Sequence, residues 1–260
     1  MTVFLPAFTL CQREIVRFYR QRSRVVGAVL PPVIFWFLIG SGMGGSFRHG
    51  TGNLGMNYLQ YFFPGTVVKI ILFTAIFSTI SIIEDRKEGF LQSVLVAPVP
   101  RASIALGKIL GGAILAFLQG LIFVLLAPTL GITFRLVPML FVLGILFIIS
   151  FGLTGLGFLI AWRMESTQGF HAVMNLFLMP MWFMSGALFP METAPPWLKA
   201  VMAADPLTYA VTALRDGFFS GDLGQIHSFP SPLQCLLVTI AFSCITFILS
   251  VVVSSQRVRV

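Results

Sequence analysis

An all-α integral membrane protein is the fold class this sequence predicts, and three observations predict it. Hydrophobic residues make up 57% of the 260 and the mean hydropathy is +0.93, both far above a soluble domain's values. Charge-free runs occupy 25–47, 109–134, 136–162, 166–191 and 223–256, and a further run at 49–83 is broken only by Lys69. Each exceeds the roughly 20 residues a helix needs to cross a bilayer. Backbone groups in lipid require internal partners, so the runs are helices; the alternating ten-residue segments of a barrel are missing. Six spans follow, Val25–Met43, Tyr58–Ile83, Ile104–Leu130, Pro138–Trp162, His171–Phe189 and Leu233–Ser254, within a transmembrane domain over 25–254.

Residues 1–24 precede the first span. Arg13, Arg17, Arg20 and Arg24 recur on one helical face. Phe8, Cys11, Ile15, Phe18 and Tyr19 fall on roughly the opposite one. The pattern predicts an N-terminal interfacial amphipathic helix, its arginines toward lipid headgroups. With this terminus inside, twelve basic residues are cytoplasmic, against Arg48, Arg135, Lys199 and Arg215 outside. Both termini, including the basic tail 255–260, are then cytoplasmic, in a multi-pass protein of the cell (inner) membrane. The net charge of +8 reads as topology and attraction to anionic lipid, not nucleic-acid binding. Twenty-four residues before the apolar run are unlike a cleaved signal peptide. Cys11, Cys235 and Cys244 show no metal or redox spacing.

The first span carries Pro31 and Pro32, so it is kinked or starts late. Two GxxxG pairs, Gly40/Gly44 and Gly107/Gly111, suit close helix packing within the chain. Lys69 lies about 16 Å into the second span, where facing lipid is costly. The reading favoured is a protein interior or water-filled cavity, which makes Lys69 a candidate for the transport pathway; snorkelling toward one membrane face is the alternative.

Between the second and third spans, the loop 84–101 concentrates charge at Glu84, Asp85, Arg86, Lys87 and Glu88. After Gly89, residues Phe90, Leu91, Val94 and Leu95 form the apolar face of a short cytoplasmic helix that Pro98 and Pro100 end. So short a helix needs something to pack on: the membrane surface, or a groove on a soluble partner whose contacts the charged rim would set.

The external segment 190–232 opens a short apolar helix at Pro195, Pro196, Trp197 and Leu198. Asp205-Pro206 then reads as an N-cap and first turn, with Leu207, Val211, Leu214 and Phe218 at helical spacing. These predict short external re-entrant helices, with a surface-lying pair as the plainer alternative.

The chain carries no nucleotide-binding loop: Gly107-Lys108 is followed by Ile109, and Ala102 stands where the first glycine belongs. No HExxH or GxSxG motif occurs. The sequence thus predicts no catalytic residues, no metal site and no bound cofactor, and argues against an enzyme.

The stretch EDRKEGFLQSVLVAPVPRASIALGKILGG resembles the signature of type-2 ABC exporter permeases. Glu84, Arg86, Glu88, Gly89, Leu91, Leu95, Pro98, Arg101, Gly107 and Lys108 carry the match. The stretch 195–219 is similar to the family's external element at Trp197, Pro206, Tyr209 and Arg215, with Asp205 where Asn is more usual. The resemblance implies a half-transporter: a homodimer of permeases in the lipid bilayer, driven by separate ABC ATPase subunits that hold ATP and Mg. It implies that 84–101 is the coupling helix, with Glu84 to Leu91, Val94 and Leu95 as ATPase-coupling residues. It further implies export of drugs, lipids, glycolipids or lipid-linked polysaccharides. Lys69 is not part of that pattern. An ion-coupled secondary transporter using Lys69 is the competing function, although no repeat relates the two halves.

Overall fold

The computed structural model describes residues 4–20, 58–132, 134–219 and 230–256, together with 26, 27, 30, 33, 34, 37 and 38. Every α-helix and helical turn assigned among them belongs to one bundle-like succession, and no strand occurs among the described residues. The helices are α1 (Phe4–Arg20), α2 (Tyr58–Ser78), α3 (Ile80–Lys87), α4 (Phe90–Val96), α5 (Arg101–Val124), α6 (Leu136–Arg163), α7 (Thr167–Trp182), α8 (Pro196–Ala204), α9 (Pro206–Phe219) and α10 (Pro232–Ser255). Four stretches, Tyr58–Lys87, Arg101–Val124, Leu136–Arg163 and Pro232–Ser255, are long and apolar enough to cross a membrane.

Of the predicted first span, Val26, Gly27, Leu30, Val33, Ile34, Phe37 and Leu38 are described, and all are helical. Arg24, the Pro31-Pro32 step, the Gly40/Gly44 pair and tail residues 257–260 lie outside the described residues. The predicted fifth span is not one uninterrupted helix. After α7 the chain makes a single π-helical turn, Phe183–Ala187, in which Gly186 adopts φ 74°. Pro180 withholds a backbone donor just before it, and a wide turn of this kind releases carbonyls from the helical ladder.

α2 is the central helix. Phe62, Phe63, Val67, Ile70, Ile71, Ala75 and Ile76 are fully buried, because α5, α6 and α9 pack around it. Small residues let the surrounding helices approach. Gly112 of α5 sits against Ser78 and Thr154, and Gly152 and Gly155 of α6 sit against Ser243 and Thr246 of α10. Ser243 donates to the Ile148 carbonyl at 2.7 Å and Ser250 to the Gly155 carbonyl at 3.2 Å, so polar side chains fasten α10 to α6. The other face of α10, with Leu237, Ile245, Ile248, Leu249 and Val252, is exposed and apolar, as a helix bordering lipid requires.

Gly107 and Gly111 form an intramolecular seat for α1. A Cβ on Gly107 would lie 2.6 Å from the Ala7 carbonyl oxygen, and one on Gly111 would lie 2.7 Å from the Glu14 Cβ. Ala7, Leu10, Cys11, Glu14 and Phe18 are consequently buried, while Phe4, Leu5 and Phe8 remain exposed.

α9 packs against α2, α6 and α10. Phe218 meets the Phe63 ring edge-on at 5.4 Å, and a Cβ on Gly217 would lie 2.5 Å from Val142. Both partners stand about 8 Å inside the ends of their helices. α9 therefore enters the bundle and does not lie on its surface. Residues 220–229 of the same segment are outside the described residues.

Candidate functional site

α3 continues the line of α2 after a turn at Thr79, so Glu84 to Lys87 belong to a helix and the predicted loop begins only at Glu88. This alters what the charge cluster does. Helical geometry turns Asp85 inward, where it is fully buried. Its Oδ1 accepts from Arg13 Nη2 at 2.7 Å and from Arg17 Nη1 at 2.5 Å. Its Oδ2 accepts from Arg13 Nη1 at 2.9 Å and from the buried Lys108 ammonium. Four donors thus fill the carboxylate's acceptor sites. Lys108 also donates to Glu14, itself buried. Arg17 reaches Glu84 at 2.9 Å and Glu88 at 3.3 Å.

Two predicted placements are corrected by this geometry. Arg13 and Arg17 face carboxylates of the same chain, not lipid headgroups: a buried carboxylate offers a better site for guanidinium than solvated phosphate. Asp85 is no rim residue open to a partner, and neither is Arg86, whose guanidinium donates to the Met164 carbonyl at 3.0 Å and to the Trp162 carbonyl. These are the orphan carbonyls at the end of α6. Arg20 is exposed at the end of α1, and Lys87 and Glu88 are the exposed members of the charge cluster.

Gly89 then takes φ 79°, a left-handed conformation open to glycine at no steric cost, and the chain turns into α4. Leu91 is buried and Phe90, Val94 and Leu95 are half-buried. The Arg13 guanidinium lies 3.7 Å from the Phe90 ring centroid. Gln92, Ser93 and Val96 face outward. One joint therefore ties α1, α3, α4 and α5 through Asp85 and Arg13, and α6 through Arg86. Sequence reasoning missed Glu14 and Lys108 as members. Their signal was faint: one acid inside a basic helix, and one lysine at the edge of an apolar run.

A second polar cluster stands at the other end of α2. Tyr61 Oη and Arg215 Nη2 both donate to the Gly186 carbonyl at 2.9 Å, and the Arg215 guanidinium lies 4.0 Å from the Tyr61 ring centroid. Trp182 Nε1 donates to the Gly65 carbonyl at 2.8 Å. Lys69 is 8% exposed and its ammonium lies 4.2 Å from the Trp182 ring centroid, so the lysine faces protein. Lys69 and Asp85 are about 24 Å apart along the helix axis. Trp197 is exposed, and Tyr209 Oη donates to the Ala203 carbonyl at 2.8 Å.

Asp205 caps α9: its Oδ1 accepts from the Leu207 amide at 2.9 Å, with Pro206 following. Its Oδ2 is buried with no hydrogen-bond partner among the described residues. Burial pushes this carboxyl from 3.8 up to about 7, against the opposing pull of the Leu207 amide. Between those values the folded chain holds a proton that the unfolded chain has released, so stability falls as pH rises through that window. Asp205→Asn, an equal cap without the charge, is expected to melt higher than wild type near pH 8. In thermal melts the gap should narrow as pH falls below about 7 and close near pH 4.

A family model described as "ABC-2 type transporter" matches residues 7–219. Among curated proteins, a putative transport permease ycf38 of Cyanophora paradoxa is 30% identical over 93% of this chain and 86% of its own length. A probable doxorubicin resistance ABC transporter permease protein DrrC of Mycobacterium tuberculosis is 26% identical over 96% of this chain and 89% of its own. Nodulation protein J of Rhizobium leguminosarum bv. viciae is 26% identical over 91% and 87%.

Proposed function

The chain belongs to the ABC-2 type transporter family, and from that premise we propose that it is the membrane-spanning permease subunit of an ATP-driven exporter. Two copies form the translocation pathway, and separate ABC ATPase subunits, carrying ATP and Mg, dock on the cytoplasmic side. The cargo is a lipophilic drug, lipid or glycolipid/polysaccharide moved out of the cytoplasm or inner leaflet. Names among the relatives support export of this kind: doxorubicin resistance for one and nodulation for another. Six spans complete the pathway, the four long helices together with the first predicted span and α7 with its π turn. The basic-residue bias supports an inner-membrane orientation with both termini cytoplasmic.

The joint around Asp85 is the observation that carries this reading. A seven-residue helix, Phe90–Val96, is too short to persist alone, yet Arg13 rests on its Phe90 ring. α3, separated from it by Glu88 and Gly89, is tied to α1 and α5 by the buried charges around Asp85 and to α6 by Arg86. Such an element transmits a push from a docked ATPase to the spans. Gln92, Ser93 and Val96, with Lys87 and Glu88, are its outward groups. The complex purified with its ATPase should show vanadate-sensitive hydrolysis linked to cargo transport. Gly89→Pro, which cannot take φ 79°, and Glu88→Ala should hydrolyse ATP at near wild-type rate while transport falls, with membrane insertion unchanged. Transport by the purified chain in liposomes without any ATPase would sink the proposal.

A further inference from the structure

α1 and α5 pack in parallel. Ala7 stands against Gly107 and Glu14 against Gly111, so the two helices advance in the same direction. α1 begins three residues before Ala7, and α5 begins six residues before Gly107. Their N-termini therefore lie side by side, within about 5 Å of one level along the axis. Each is the positive end of a helix dipole. An acid in the first turn would offset that charge, and neither helix carries one there. Pro100, which precedes α5, has no side-chain acceptor with which to cap it.

Two donors on the first turn of α5 are left over. Ser103 has no exposed surface, and its hydroxyl has no hydrogen-bond partner among the described residues. Arg101 Nη1 is likewise buried without a partner among them. The two side chains bracket α1. Ser103 shares a face with Gly107, one turn on, where Ala7 is seated. Arg101 shares a face with Lys108, two turns on, whose ammonium reaches Glu14 of α1. Helical side chains lean toward the N-terminus, so both lean toward the paired helix ends. Buried polar groups in native proteins have partners. Here every feature asks for a partner of one sign: two dipole ends, a guanidinium and a hydroxyl. A carboxylate holds its two oxygens in one plane. A phosphate presents oxygens in several directions, which suits donors arriving from two helices.

We infer that the paired N-termini of α1 and α5 bind a phosphate group, held by Ser103, Arg101 and the first amides of α5. The inference goes beyond the exporter reading and does not depend on it. A phosphate bound there pins α1 to the corner where the chain passes from α4 through Pro98 and Pro100 into α5. Its source is an anionic phospholipid or phosphate from solution. Phe4, Leu5 and Phe8, all exposed on α1, would lie along the acyl chains of the former.

The test uses the full chain, delipidated in dodecyl maltoside. It is titrated with dioleoyl phosphatidic acid, with inorganic phosphate, and with dioleoylglycerol, which has the same chains and no phosphate. Native mass spectrometry and melting temperature read the binding. Phosphatidic acid is expected to bind and to raise the melting temperature, and dioleoylglycerol to do neither. Displacement by inorganic phosphate would assign the site to free phosphate, and its failure would assign it to the lipid. Ser103→Ala should weaken whichever phosphate binds by roughly tenfold, and Arg101→Met by at least as much. Arg20→Met removes an equal but exposed charge at the far end of α1 and should leave affinity unchanged. Without any probe, Ser103→Ala should melt no lower than wild type, because it removes an unpaired buried hydroxyl. A lower melting temperature would show that the hydroxyl is already partnered and would overturn the inference. So would binding of neither phosphate probe, equal binding of dioleoylglycerol, wild-type affinity in Ser103→Ala or Arg101→Met, or an equal loss in Arg20→Met. No ATPase takes part, so these outcomes are separate from those that test the exporter reading.

Discussion

Asp85→Ala is expected to destabilise the folded chain by about 3–5 kcal/mol, the usual cost of removing one partner from a buried ion cluster. The reason lies in what remains. Arg13, Arg17 and Lys108 keep their charges, and Lys108 and the carboxylate it would lose are almost wholly shielded from water. Glu14 still meets Lys108, but the two guanidinium groups lose the buried acceptor they share. Unfolding of the detergent-solubilised protein, followed by melting temperature or by denaturant titration, measures the loss. Glu88→Ala is the matched comparison: its side chain is 60% exposed in its pairing with Arg17, and such pairs contribute about 0–1 kcal/mol. Asp85→Ala combined with Lys108→Met should recover part of the loss, because the double change removes an abandoned charge as well as its partner. An Asp85→Ala protein melting within about two degrees of wild type would mean that α1 and α3 are held by apolar packing and that the cluster transmits nothing.

The pairing at Asp85 also marks where sequence stops being sufficient. Long apolar runs announce spanning helices because lipid imposes one solution on the backbone, and Tyr58–Lys87, Arg101–Val124, Leu136–Arg163 and Pro232–Ser255 were legible for that reason. Gly107 and Gly111 were legible as a packing surface, though not which helix would occupy it. The arginine face of α1 was legible as a face and misread as to partner. Periodicity reports which side chains share a surface; it carries no information about a carboxylate 68 or 72 residues away in the chain. The helix of the second span runs on through the charge cluster to Lys87, which sequence reads as loop because the neutralising groups, Arg13, Arg17 and Lys108, come from elsewhere in the chain. The break in α7 was hidden for a different reason. Pro180 and Gly186 are both tolerated in membrane helices, so neither residue alone announces a π turn.

That break gives the other large effect. Trp182→Ala is expected to cost about 3–5 kcal/mol, the range for removing a fully buried large aromatic side chain. Trp182 has no exposed surface, meets Phe62 edge-on at 6.1 Å and donates to the Gly65 carbonyl. Gly65 is itself a contact point: a Cβ there would lie 2.4 Å from the Ala187 Cβ, so the tryptophan anchors the π turn directly onto α2. Trp182→Phe separates the contributions. It keeps most of the ring, withdraws the donor from a buried carbonyl, and should cost about 1–3 kcal/mol. Lys69 supplies the further discrimination, since its ammonium rests on the same ring. If that contact holds the lysine in place, Lys69→Met should lower stability in the wild-type background and raise it, or leave it unchanged, once Trp182 is alanine, because the charge then has lost its aromatic face. Additive effects in this double-mutant cycle would show that the ring and the ammonium are neighbours without energetic coupling, and would leave Trp182 as an anchor for the broken helix alone.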